Sequence, residues 1–116
     1  MVGYSFFRNK EQMFTSEQRI TKRYKYNSKF KIESVNMQKI NIELTGVDIS
    51  IGGIGFISTM NFNLNDILGI YFTLNNVTIP AVINTKHVNL FDSGFFVGGN
   101  FIAMQDSYID ILRTLS

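Results

Sequence analysis

The alternation of apolar and polar side chains from Tyr24 onward constrains this chain more than any other feature. Tyr24, Tyr26, Phe30 and Ile32 share one parity, while Lys25, Asn27, Lys29, Lys31 and Glu33 occupy the other. A period of two puts the two sets on opposite faces of an extended strand, one against a core and one in water. The pattern recurs. Ile40, Ile42 and Leu44 alternate with Asn41, Glu43 and Thr45 up to Gly46. Ile54 to Ser58, Ile67 to Leu74, Val77 to Val88 and Phe95 to Ile102 are further apolar strands. Between them lie turn-forming residues: Asp48 to Gly53, a loop with Asn61, Asn63, Asn65 and Asp66, the pair Asn75-Asn76, and Asp92-Ser93-Gly94. Asn and Gly tolerate the positive φ that two-residue hairpins need. Pro80 has no N–H to give a ladder, so an edge or a bulge is its expected place.

Six short strands joined by tight turns predict an all-β fold, a six-stranded antiparallel barrel or sandwich. The usage of 15 Ile, 11 Phe and 5 Tyr against a single Pro agrees with that reading. The period changes at the C-terminus, where Tyr108, Ile111, Leu112 and Leu115 fall at i, i+3, i+4 and i+7. This predicts one short amphipathic helix, with Asp106 or Ser107 as N-cap and Asp110 available for a capping box. A helix of that length is marginal alone, so it must pack on the sheet. Residues 1–18 have no clear period. Phe6, Phe7, Met13 and Phe14 suit one side of a short helix as well as a loose arm. The chain of 116 residues is therefore expected to be one domain, 19–116, preceded by an N-terminal arm, 1–18, at the start of a flexible basic N-terminal segment.

Several functions are excluded by what the chain lacks. Without cysteine there is no disulfide, no thiolate nucleophile and no Cys-ligated zinc, and one histidine argues against a His-rich metal site. No Ser-His-Asp order and no phosphate-cradling Gly-x-x-x-x-Gly-Lys is present, so enzyme function is not expected. No apolar run approaches the ~18 residues of a membrane span, and the start lacks a signal peptide's apolar stretch. A cytoplasmic location without membrane insertion is expected.

Charge is unevenly placed. Residues 1–31 carry eight basic and two acidic side chains, and the rest of the chain three basic and seven acidic. A basic lead-in on a mildly acidic body suits an anionic partner, and it equally suits a solvated, solubilising segment.

Two constellations fall at the ends of that division. Arg19 and Arg23 form an R-x-x-x-R just before the first strand, and Asp48, Ser50 and Gly53 form a D-x-S-x-x-G between strands. Each alone has a plain reading: a solvated basic face, and a hairpin turn with Gly supplying positive φ. In this order on this framework the chain resembles the PilZ domain, the bacterial receptor module for the second messenger cyclic di-GMP. The resemblance spans about residues 17 to 116. It rests on Arg19 and Arg23, on the stretch Asp48 to Phe56, on Gly98 to Phe101, and on the helix at Tyr108 to Leu115.

The resemblance implies a PilZ-type barrel with a short C-terminal helix, and cyclic di-GMP as ligand with no further cofactor. Arg19 and Arg23 would clamp the ligand, while Asp48, Ser50, Gly52 and Gly53 form the other half of the site. Many relatives carry another Arg directly before the first motif arginine. Gln18 stands there in this chain, which favours one ligand per chain, with Lys22 or Arg8 as residues able to compensate and two ligands left open. The residue types suit the task. An Arg fork binds guanine O6 and N7 bidentately, pairs with phosphate or stacks on a base, and Asp48 can accept from a guanine edge or orient an arginine. The implied partners are the dinucleotide and an effector protein in motility, pilus or exopolysaccharide control, with a homodimer open.

Two other functions fit the same framework: a nucleotide-independent adaptor, and a small nucleic-acid-binding barrel using the basic arm. The paired arginines count against the first, and no nucleic acid polymer is the expected partner. Of the remaining candidates, His87 reads as a surface or satisfied histidine near a strand end. Asp106 and Asp110 read as a cap and a solvated face, and Phe95, Phe96 and Phe101 as core.

Overall fold

The computed structural model describes residues 4–6 and 22–115. Eight strands lie among the described residues: β1 (Tyr4–Phe6), β2 (Tyr24–Lys25), β3 (Lys29–Val35), β4 (Gln38–Ile49), β5 (Gly53–Ser58), β6 (Ile67–Leu74), β7 (Val77–Phe91) and β8 (Gly94–Gln105). Helix α1 (Asp106–Arg113) follows β8 directly. All pairings are antiparallel, in the order β8-β5-β4-β3-β6-β7, and β7 pairs back onto β8. That closes a six-stranded barrel, as the alternation predicts. Closure leaves the six strands without a free edge along their paired lengths.

The two short strands extend rows that the barrel begins. β1 continues alongside β8 beyond the end of β5, with Tyr4 opposite Gln105. It lies within the stretch expected to be an N-terminal arm; Gln18, Arg19 and the rest of 7–21 lie outside the described residues. β2 lies beside the end of β4, with Lys25 opposite Asp48. The single strand expected over Tyr24 to Glu33 is thus divided at Tyr26–Ser28.

Tyr26 fills the break. Its hydroxyl donates to the Thr73 carbonyl at 2.8 Å and accepts from the Thr73 N–H at 2.9 Å, satisfying β6 main-chain groups beyond the last β3–β6 pair, Lys31 with Tyr71. The Tyr26 ring lies over Gly46, where a Cβ would collide with it. Gly46 was expected to end a strand. β4 instead runs on through it to Ile49, with a bulge between Gly46 and Asp48. The glycine serves a close approach across the sheet rather than a turn.

Hairpins follow the asparagines. Asn75 and Asn76 have φ of 52° and 64° and join Leu74 to Val77. The β3–β4 hairpin turns through Asn36 and Met37, also both at positive φ, a connection the sequence pattern left unassigned. Pro80 lies in the stretch of β7 just before pairing with β8 begins at Ala81, an edge as expected.

Inward-facing residues fill the barrel. Phe30, Ile32, Phe56, Phe72, Ile79, Ile83, Val97 and Phe101 are buried in one cluster. Phe56 packs edge-on against Phe30 at 4.9 Å and against Phe62 at 6.2 Å between ring centroids. Complete burial of one such ring contributes about 2–3 kcal/mol. Phe62, within the otherwise polar loop, covers that part of the core. Helix α1 covers another part with Ile109 and Leu112, while Tyr108, Ile111 and Leu115 pack around them. The expected side-chain cap is absent. Gln105, still extended as the last residue of β8, occupies the N-cap position and makes no side-chain cap bond. The chain passes from strand to helix with no turn residue in which Asp106 or Ser107 could act as cap.

Candidate functional site

The end of β4 and the segment entering β2 meet on the outside of the barrel. The Arg23 guanidinium donates from Nε and Nη2 to one oxygen of Asp48, at 3.0 and 2.7 Å, and from Nη1 to Ser50 Oγ at 3.1 Å. These groups are 25 and 27 residues apart in sequence. Both bonds to the carboxylate fall on Oδ1; among the described residues none falls on Oδ2. Asp48 is half-buried, while Arg23 keeps about half its side chain in water (47%). The pair is screened accordingly, so it orients more than it stabilises.

Ser50 is buried and its hydroxyl also accepts the Gly52 N–H at 3.2 Å. The turn from Ser50 to Gly53 closes on itself through Ser50 N–H to the Gly53 carbonyl at 2.9 Å, and Gly52 accepts from the Phe101 N–H of β8. Neither glycine has a positive φ. Gly53 serves a close approach rather than left-handed backbone, whereas a Cβ on Gly52 would meet nothing nearer than Ser50 Oγ at 4.0 Å. A Cβ on Gly53 would run into the Gly99 carbonyl of β8, and one on Gly55 would lie 2.6 Å from Asp48 Oδ1.

Asp48, expected in the turn, is a β4 residue, and this placement builds the site. Asp48 lies opposite Gly55, Gly55 opposite Gly98, and Gly98 opposite His87. One cross-strand row thus has an acid at one end, an imidazole at the other and two glycines between. The rows on either side bring Phe96 and Asn100 to the same outer face. A cavity of about 310 Å3 lies here, lined by Arg23, Asp48, Gly55, His87, Phe96, Gly98, Gly99 and Asn100.

Several of these residues escaped the sequence reading. Phe96, expected in the core, lies half-buried in the cleft, because the outer face of β8 is even-numbered there and Val97 takes the interior. His87 is exposed as expected, yet it lies within β7 at a bulge rather than near its end. Their only sequence signal was the pair Gly98-Gly99, two consecutive residues that could not fill space. Of the six-plus-one residues expected at the site, Arg23, Asp48, Ser50, Gly52 and Gly53 are brought together, whereas Gln18 and Arg19 lie outside the described residues.

A second cavity, of about 220 Å3, lies across β6, β7 and β8, with Glu33 and Tyr71 among mostly apolar walls. It gathers no complementary set of polar groups. Among the described residues, no group of three His, Cys, Asp or Glu side chains could hold a metal ion. Among the described residues, no helix is long and apolar enough to cross a membrane.

The barrel is similar to the solved structure of the Bacillus subtilis inhibitor of motility (MotI/DgrA), with a TM-score of 0.63 and 13% sequence identity. The likeness shows the fold. It covers 81% of this chain and 47% of that one, so this chain matches about half the length of the motility inhibitor. No protein-family model matches the chain, and no curated protein matches it.

Proposed function

We propose that this protein is a PilZ-type receptor for cyclic di-GMP, acting as an adaptor in motility control. The observation that carries this reading is the convergence of Arg23, Asp48 and Ser50 on one outer face of the barrel. Asp48 Oδ1 orients the guanidinium, and Oδ2 is left to accept from a guanine N1–H and N2–H2 edge. The Arg23 fork can then meet guanine O6 and N7 or a phosphate, for which a planar fixed fork suits better than an ammonium. Arg19 supplies the second guanidinium, and Gln18 in place of a further arginine favours one ligand per chain. The segment carrying them closes over the guest, and the resulting surface signals to an effector protein. Ordering such a segment costs several kcal/mol, which the new contacts must exceed. The name of the structural neighbour supports motility as the process.

Calorimetric titration of cyclic di-GMP into the wild-type chain and into Arg23→Ala tests this, with cyclic di-AMP as control. Saturable binding of the guanine dinucleotide is expected, weakened about tenfold or more in the variant. Equal affinities would remove the clamp, and co-purification of an effector that gains nothing from nucleotide would favour the adaptor without a ligand.

A further inference from the structure

Two rings in the cleft, His87 and Phe96, belong to neither the R-x-x-x-R nor the D-x-S-x-x-G. His87 lies over Gly98: its ring Cδ2 is 3.5 Å from where a Cβ on that glycine would sit. Phe96 lies over Gly55 in the same way, its ring Cζ 3.0 Å from the corresponding position. Two aromatic rings therefore lean over a floor of bare backbone, in the cavity that also holds Arg23 and Asp48. Three strand spacings separate Asp48 from His87 along their row, about 14 Å at the usual spacing of sheets. That length exceeds one purine and suits a guest with two bases.

We infer that His87 and Phe96 form a stacking surface for the second base of the guest, whose first base is held at Arg23, Asp48 and Ser50. The inference rests on the reading of the site as a dinucleotide receptor. Aromatic side chains recognise nucleobases through their faces, and each such stack typically changes affinity severalfold or more. The glycines beneath the rings let both lie against the sheet, so that a base would stack on the face each ring turns to the cleft. The sequence order hides this arrangement, because His87 belongs to β7 and the motif to the β4–β5 turn.

His87 is the only histidine in the chain, so its ring resonances are identified without assignment. Titration of cyclic di-GMP into the full chain, followed by calorimetry and by the His87 ring C–H signals, tests the surface. The signals are expected to shift upfield and to saturate along the calorimetric isotherm. His87→Ala is expected to bind about fivefold more weakly or worse, and His87→Phe to bind near the wild-type level. His87 is exposed, so neither variant removes core packing. An unmoved ring signal at saturation, or wild-type affinity in His87→Ala while Arg23→Ala loses binding, would overturn this inference and leave the receptor reading intact. Absence of binding by the wild-type chain would overturn both.

Discussion

Both hydrogen bonds from Arg23 to Asp48 end on the same carboxylate oxygen, Oδ1, with the shorter at 2.7 Å. The geometry makes Asp48 a holder of the arginine, with no bond from another described residue on its Oδ2. It also separates the stability of the protein from the function of the site. The Arg23 side chain is about half exposed, so the pair contributes little to folding, on the order of 0–1 kcal/mol.

Asp48→Asn should therefore lower the melting temperature only slightly while weakening cyclic di-GMP binding about tenfold. The neutral amide keeps the size of the side chain but loses the charge-assisted bonds to Arg23. Thermal melting and calorimetry on the same preparation check both halves. A large loss of stability with unchanged affinity would assign Asp48 a structural role instead.

Gly53→Ala and Gly55→Ala should fail in different ways. At Gly53 the added Cβ meets the Gly99 main chain, which cannot give without parting β5 from β8, so a loss of about 1–3 kcal/mol is expected. At Gly55 the nearest atoms are Asp48 Oδ1 and the Phe96 ring, both ends of movable side chains. That variant should stay folded and lose ligand affinity. Denaturant melts of the two proteins, compared with their binding isotherms, separate the cases.

Tyr26 should give the protein an alkaline limit. Burial pushes its phenol above the ordinary value of 10.0, and the hydrogen bond from Thr73 opposes that shift less strongly. The folded state thus holds the proton more tightly than the unfolded state. The resulting stabilisation is complete below about pH 10 and is lost as pH rises through the raised value. Tyr26→Phe leaves two Thr73 main-chain groups without the hydroxyl, costing about 1–3 kcal/mol near neutrality. Its melting temperature should then fall less than that of wild type between pH 9 and 11.5. Parallel curves would show that Tyr26 ionisation does not limit the fold.

Met37 offers a gain. It is 94% exposed and has φ of 71°, a conformation that costs an L residue with a side chain on the order of 1–2 kcal/mol. Met37→Gly makes the turn Asn-Gly, the pair that two-residue hairpins of this kind favour. A rise in stability of up to about 1 kcal/mol is expected, because glycine also gains freedom in the unfolded chain. Differential scanning calorimetry would read this as a few degrees.

The strands were legible because burial on one face imposes a period of two that needs no knowledge of partners. Ile67 to Leu74 shows this best, with bounds that agree at both ends. Turns were legible where Asn75 and Asn76 stood together, and invisible at Asn36-Met37, because methionine carries no turn signal. The helix was legible in period, although Ile109 shares its buried stripe and its N-cap residue, Gln105, is the end of a strand and makes no side-chain cap bond. The motif residues were legible as residue types at a spacing, and the structure brings together those that it describes.

Local chemistry along the chain thus determined which segments extend, where most of them turn, and which side chains could grip an anion. Neighbours across the sheet decided the rest. The register that sets Asp48 against Gly55, Gly98 and His87 depends on barrel closure and on bulges in β4 and β7. Closure is a sum over all pairings at once, and no window of sequence contains it. For that reason Gly46 could look like the end of a strand and prove to be a seat for Tyr26, and Phe96 could look like core and stand in the cleft.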